Sequence, residues 1–343
     1  MVDPPWDRID APSALMQYGL RLPSYALGER TAGLQEMGAY LRRAEDLGFE
    51  SAMLIDHLLV APPAYRVAWL EPVSLLSALA GVTRTIRLGT LVIVLPFRDP
   101  VAFAKEWATL DLLSGGRSIL GVGVGWNKEE FAALRIPIQE RGRRMNELLE
   151  SITALWAGGD VSYEGRYYQF QHLTIEPKPV QQPHPPIWIG GGTQPSEKIY
   201  GEGVDTITPV LRRIAKYAET WVPHSSATAE MVAGDWARIR EFMTEFGRDP
   251  DSMGRVYSNF IHILQPGEKP ESAARRFSVY SGMDLPYWQE FYLLGEAEAV
   301  AERIRGKIEA LGGVDHLILN PLDWDPASIE VLAERVLPLV AAP

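Results

Sequence analysis

Eight short β-rich runs alternate with amphipathic helical patterns along almost the whole chain, and this alternation restricts the fold more than any other feature. The runs are MQYGLRL (16–22), ESAMLID (50–56), TIRLGTLVIVL (85–95), RSILGVGV (117–124), PPIWIG (185–190), YAETWVP (217–223), RVYSNFIHIL (255–264) and VDHLILN (314–320). Helical stretches with apolar positions three to four residues apart cover 34–47, 70–82, 100–113, 128–134, 140–156, 226–247, 296–311 and 326–340. Eight such pairs within 343 residues fit a closed (βα)8 TIM barrel of α/β class better than an open doubly wound sheet. Residues 1–15 read as a Pro-rich flexible arm and 16–343 as one barrel domain. Two stretches break the alternation. Residues 161–180 alternate aromatic and polar positions around Glu164-Gly165 and read as a small β-hairpin, while 265–292 read as an aromatic excursion placed to cover the barrel mouth.

Composition narrows the chemistry. A formal net charge of −11 argues against a nucleic-acid or anionic-membrane surface, which needs clustered Lys and Arg. The absence of cysteine removes disulfides, thiolate nucleophiles and Fe–S ligation. The N-terminal stretch has neither a basic n-region nor a long apolar run, and no segment approaches the ~20 apolar residues of a membrane span, so the chain reads as cytoplasmic.

In a barrel of this kind the C-terminal strand ends line the site. Asp56-His57 ends the second strand, placing an imidazole where it can exchange a proton near neutral pH. The fourth strand ends GVGVGWN (121–127), whose small residues allow a flat ligand against the wall, with Asn127 as a polar handle; it lacks a full dinucleotide fingerprint. Gly190-Gly191-Gly192-Thr193 lies where the fifth strand meets its helix. It reads either as a phosphate cradle of backbone N–H groups or as a turn that needs glycine. His224 follows the sixth strand and is a candidate site residue, whereas His262 and His316 lie inside strands and read as structural. No His or carboxylate spacing suits a metal, and no G-x-S-x-G elbow supports a hydrolase triad.

ESAMLIDHLLV, TIRLGTLVIVLPFRDP, LLSGGRSILGVGVGWNKEEFAAL, ERGRRMNELLESITALWAGGDVSYEGRYYQF, PKPVQQPHPPIWIGGG and GGVDHLILN together resemble the bacterial luciferase-like monooxygenase superfamily of flavin- and deazaflavin-dependent oxidoreductases. The resemblance implies a flavin-type ring at the barrel mouth with catalytic His57 at its reactive edge and Asp56 beside it. Thr90, Leu91 and Val92 would form a bulge backing the ring, often with a non-proline cis peptide, while Val124, Gly125, Trp126 and Asn127 border it and Gly190, Gly191, Gly192 and Thr193 hold the phosphate. Tyr65, Trp69, Phe97, Trp126, Tyr163, Tyr167 and His224 are candidates for the substrate pocket. The GWNKEEF, ERGRR and GRYYxF string looks most like deazaflavin members, which implies coenzyme F420, with FMN as the alternative. Deazaflavin implies hydride transfer, and FMN implies oxygen chemistry with a flavin reductase as partner; a flavin-binding protein without turnover is the non-enzymatic alternative. Family members are commonly homodimers. Two features depart from the pattern. Trp126 stands where deazaflavin sugar-phosphate dehydrogenases carry a carboxylate, and the step from the glycines to the sixth strand is about a dozen residues longer than usual by our reading.

Overall fold

The structure, a computed structural model, describes residues 16–26, 31–62, 65–194 and 207–341; the arm expected at 1–15 lies outside them. Its centre is a closed ring of eight parallel strands: β1 (Gln17–Arg21), β2 (Ser51–Leu54), β3 (Arg87–Thr90), β4 (Ser118–Gly123), β5 (Ile187–Gly190), β6 (Thr220–Val222), β7 (Gly254–Ile263) and β8 (His316–Asn320). Each pairs with its sequence neighbours; β8 pairs with β1, and β4 closes onto β5 through Leu120 opposite Ile187. The helices between them are α1 (Leu34–Asp46), α2 (Pro72–Ala80), α3 (Pro100–Ser114), α4 (Arg141–Ala157), α5 (Ile207–Tyr217), α6 (Ala229–Glu245) and α7 (Ala297–Ala310), and α8 (326–341) follows β8. The alternation in the sequence is thus the TIM barrel it predicts. Helix α5 does not stand among the periodic stretches above, yet Leu211, Ile214 and Ala215 give it a buried face.

Local chemistry explains several boundaries. Asp99 caps α3 by accepting from the Val101 and Ala102 amides, with Pro100 at the first helical position where its missing N–H costs nothing. Gly115 ends the same helix at φ +69°, a left-handed conformation that favours glycine. Along the strands the period of two divides the side chains. Leu20, Leu54, Leu88 and Leu120 face the helices, where they join Trp107, Trp156 and Trp221. Met53, Ile119, Trp188, Val222, Val256 and Ile318 fill the barrel interior together with Leu91 and Val92.

Both insertions take ordered form. Val161–Glu164 and Gln169–Leu173 form the expected hairpin, shorter than the segment read from sequence, and it packs on α4. The excursion after β7 forms two helices, Pro270–Tyr280 and Leu285–Phe291, and a short strand, Leu293–Gly295, paired with the upper end of β7. Their aromatic side chains make a separate apolar cluster with Phe260, Val67, Tyr65 and Trp69, so the excursion closes over one side of the mouth. Among the described residues no helix is long and apolar enough to cross a membrane.

Candidate active site

His57 follows β2 at the mouth. Its Nδ1 lies 3.1 Å from Glu130 Oε1, and the same oxygen accepts from the Leu58 and Leu59 amides at 2.7 and 3.0 Å. Glu130 is only 1% exposed and sits in the short helix Lys128–Ala133, which Asn127 caps by accepting from the Glu129 amide. A carboxylate offers acceptors only, so the bond places the proton on His57 Nδ1 and leaves Nε2 as the exchanging atom. The carboxylate that meets His57 thus stands four residues after Trp126, inside the short helix. Sequence reading passed over Glu130, although an acid in the first turn after strand four is a visible signal.

Around this pair stand aromatic rings. Tyr65 lies 4.9 Å from the imidazole centroid, Trp126 5.5 Å in an edge-on arrangement and Trp69 6.4 Å. Leu58, Leu59 and Val60 form an exposed apolar rim directly after His57. Tyr65, Trp69 and Trp126 thus gather at His57, and such a low-dielectric wall strengthens polar contacts made inside it. Phe97 packs instead on Phe131, at 4.8 Å, behind the short helix.

On the other side of the mouth, Val92 contacts the positions that a side chain at Gly123 or Gly190 would occupy, and the Leu91–Val92 peptide is cis. Val124 is partly buried against the outer core, and Gly125 has φ +75°. Thr90 is fully buried and donates to the Gly121 carbonyl at 2.6 Å, so it ties two strands together beneath this surface. Asp56 is turned away from it: its carboxylate accepts from the Val94 amide at 2.9 Å and from Arg98 at 3.0 Å, holding the segment that carries Val92. Burial pushes the Asp56 carboxyl up, and Arg98 opposes the shift.

The glycine loop differs from an open cradle. A Cβ on Gly191 would lie 2.7 Å from Val210 of α5, and one on Gly192 2.7 Å from Asp235 of α6. Gly191 N–H donates to the Val222 carbonyl at 3.1 Å, and Asp235 accepts from both the amide and the hydroxyl of Thr193. Glycine is required here because helices pack against the main chain, and most of the expected donors already have partners. Elsewhere, Arg141 Nε and the Tyr167 hydroxyl are buried without a hydrogen-bond partner. Arg213, on the helix that meets Gly191, bonds Asn146 Oδ1 at 2.6 Å and the Gly142 carbonyl at 2.9 Å. Burial pulls its pKa down to about 10, and the Arg141 guanidinium pulls the same way. Arg213 thus fastens α5 to α4, and of the two guanidinium groups only Arg141 keeps a buried donor without a partner.

Tyr163 and Tyr167 stand on the hairpin rather than with His57. Tyr163 donates to Glu150 of α4 at 3.1 Å, and the Tyr167 ring lies under Arg144, 4.6 Å from its centroid. His224 bonds Ser226 at 2.8 Å. Burial, with the field of Arg21, lowers its pKa to about 4; burial and Arg87 lower that of His316 to about 3, beside the Trp188 ring at 4.6 Å. Both values lie below the unfolded value near 6.5, so the unfolded chain binds more protons and stability falls as pH drops below about 6.5. Each ring retains some accessible surface, which reduces the limiting slope of about 1.4 kcal/mol per pH unit. Between pH 7.5 and 5.5, we expect urea unfolding of His316→Gln to lose about 1 kcal/mol less than the wild type does. Equal losses would show that His316 is charged in the fold.

Among the described residues no group of three or more His, Asp or Glu is placed to hold a metal ion. A closed (βα)8 barrel whose mouth joins a carboxylate-held histidine and an aromatic wall has the architecture of a barrel enzyme. The chain belongs to the luciferase-like monooxygenase family, whose model matches residues 16–315. It is 35% identical over 292 residues to an FMNH2-dependent dimethylsulfone monooxygenase of Pseudomonas putida, covering 79% of this chain and 78% of that protein. It is 30% identical over 338 residues to an F420-dependent glucose-6-phosphate dehydrogenase of Amycolatopsis mediterranei, covering 93% and 98%. Its fold matches a monooxygenase structure from Streptomyces bottropensis with a TM-score of 0.76 at 23% identity, covering 94% of this chain and 99% of the other.

Proposed function

We propose that this protein is an F420-dependent oxidoreductase that moves a hydride to or from a small organic alcohol or carbonyl compound. The observation that carries the reading is the His57–Glu130 pair, a fixed proton donor and acceptor beside the mouth. Val92 and Gly123 offer an apolar surface for the ring, while Arg141, whose Nε is buried without a partner, is the cation we assign to the cofactor's phosphate. When bound, the deazaflavin supplies or accepts the hydride. His57 Nε2 gives or takes the proton at the substrate oxygen, and Glu130 fixes the ring and stabilises its charged form. Trp69, Trp126 and Tyr65 exclude water from that oxygen.

A second reading, reduced FMN with oxygen and a reductase partner, is favoured by the likeness to the dimethylsulfone monooxygenase, which is the higher in identity of the two relatives described. Titrating the purified protein with F420 and with FMN, followed by tryptophan quenching, separates the two. We expect F420 to bind at least about tenfold more tightly, a difference of about 1.4 kcal/mol. The reverse order would move the protein to oxygen chemistry, and binding of neither would sink both.

A further inference from the structure

Arg21, the last residue of β1, is an inward-facing cation that the chemistry above does not use. The alternation that sends Leu20 to the helices turns Arg21 into the barrel mouth, where it is 9% exposed. Its guanidinium lies 4.4 Å above the Phe260 ring. With the Asn320 amide oriented so that its oxygen faces the guanidinium, that oxygen accepts from Nε at 3.0 Å and Nη2 at 3.1 Å. Asn320 is held in turn by donating to the carbonyls of Pro321 and Arg21, both at 2.9 Å. Among the described residues Arg21 has no ion-pair partner. Its contacts are neutral: an amide and an aromatic face.

Buried guanidinium groups are ordinarily paired with an anion, because neutral partners do not repay the loss of hydration. Here the side-on edge, Nε with Nη2, is occupied by Asn320. The end-on edge, Nη1 with the second Nη2 proton, is left without a bond to any described residue. That edge matches a planar oxyanion in a bidentate contact. The cation is also held rigidly, so little side-chain entropy is lost when an anion docks.

Its place in the barrel separates it from the cofactor's anionic end. The strands β1 and β5 lie opposite each other around the ring, so Arg21 faces Gly190 and the Arg141–Arg213 corner across the mouth. Between Arg21 and His57 stands a row of packed rings. Phe260 touches Tyr280 at 5.0 Å, Tyr280 touches Tyr65 at 5.3 Å and Tyr65 touches the imidazole at 4.9 Å.

We propose that Arg21, positioned by Asn320 and Phe260, anchors a carboxylate of the substrate, so that the enzyme acts on hydroxy or oxo acids whose reacting carbon is held at His57 while the acid group docks across the aromatic wall. This rests on the hydride-transfer reading for the reacting carbon, but the anion site stands on its own geometry. It also explains why a chain with net charge −11 keeps a cation in its active mouth.

The test uses F420-loaded wild-type protein and a ladder of linear hydroxy acids, each paired with the diol of equal length in which the carboxylate is replaced by a hydroxymethyl group. Binding is read by thermal shift and tryptophan fluorescence. We expect at least one acid to bind, its matched diol to bind roughly 10- to 100-fold more weakly, and Arg21→Met to lose the same factor while its F420 affinity is unchanged. Arg21→Lys, which keeps the charge but not the fork, should recover part of the affinity. Equal binding of acids and diols by the wild type would overturn the proposal without any variant, as would acids that compete with F420 or a folded Arg21→Met that binds acids normally. The acid-over-diol preference is also measured on unloaded protein. If F420 fails to bind while that preference persists and depends on Arg21, the cofactor assignment falls and the anion site stands.

Discussion

Replacing His57 with Asn should lower the rate of the proposed hydride transfer by roughly 10²- to 10⁴-fold, the range removed with a general acid–base group, while cofactor affinity changes little. The reason is positional. Glu130 fixes Nδ1, so Nε2 alone exchanges a proton, and none of Tyr65, Trp69 and Trp126 around it titrates near neutral pH. Glu130→Gln separates charge from geometry, because a glutamine oxygen can still accept from the Leu58 and Leu59 amides. Losing the carboxylate weakens the contact that orients the imidazole while leaving the loop amides an acceptor. The rate should fall by about 10- to 100-fold, as when a carboxylate that orients a functional histidine is lost. Single-turnover absorbance of the bound cofactor measures both. A His57→Asn enzyme with wild-type turnover would remove His57 from the chemistry, and a wild-type rate in Glu130→Gln would reduce Glu130 to a loop fastener.

Gly121→Ala should destabilise the fold by about 4 kcal/mol or more, at the upper end of point substitutions. A Cβ built at Gly121 lies 1.8 Å from the Thr90 carbonyl oxygen and 2.9 Å from its carbon. Both are main chain, so no rotamer change relieves the clash, and β3 and β4 must part. Their separation would break the Thr90 hydroxyl bond and displace the segment carrying Leu91 and Val92. Gly234→Ala in α6 supplies the control, since nothing lies within 4 Å of its Cβ. There alanine gains helix propensity and should stabilise by about 0.5–1 kcal/mol. Urea unfolding of the two variants decides the point; a loss below about 1 kcal/mol in Gly121→Ala would mean the strands are not held at this spacing.

Short-range periodicity carried the architecture, because strand and helix patterning depends on residues two to four positions apart. Every one of the eight strand segments read from the sequence overlaps a barrel strand, and His57 stands at a strand end as that ordering requires. The omission of α5 has a local cause. Its amphipathic stretch runs directly into the sixth strand through IAKYAETWV, where the change of period is abrupt.

Side-chain partnerships across the ring were set by barrel closure, which no local pattern encodes. Glu130 reaches His57 across 73 positions of sequence, and Asp235 reaches Thr193 across 42. The second contact decides the meaning of the glycine turn: its small residues admit helices α5 and α6. The hairpin that carries Tyr163 and Tyr167 packs on α4, so two tyrosines chosen for their aromatic character stand away from the imidazole. The sequence alone determined that the chain forms a (βα)8 barrel with a histidine at its mouth, since strand order and strand ends follow from periodicity. Only the tertiary structure decided that Glu130 holds that histidine, which needs β2, β3 and β4 side by side, and that Arg21, Phe260 and Asn320 meet, which needs β8 to pair with β1 and β7.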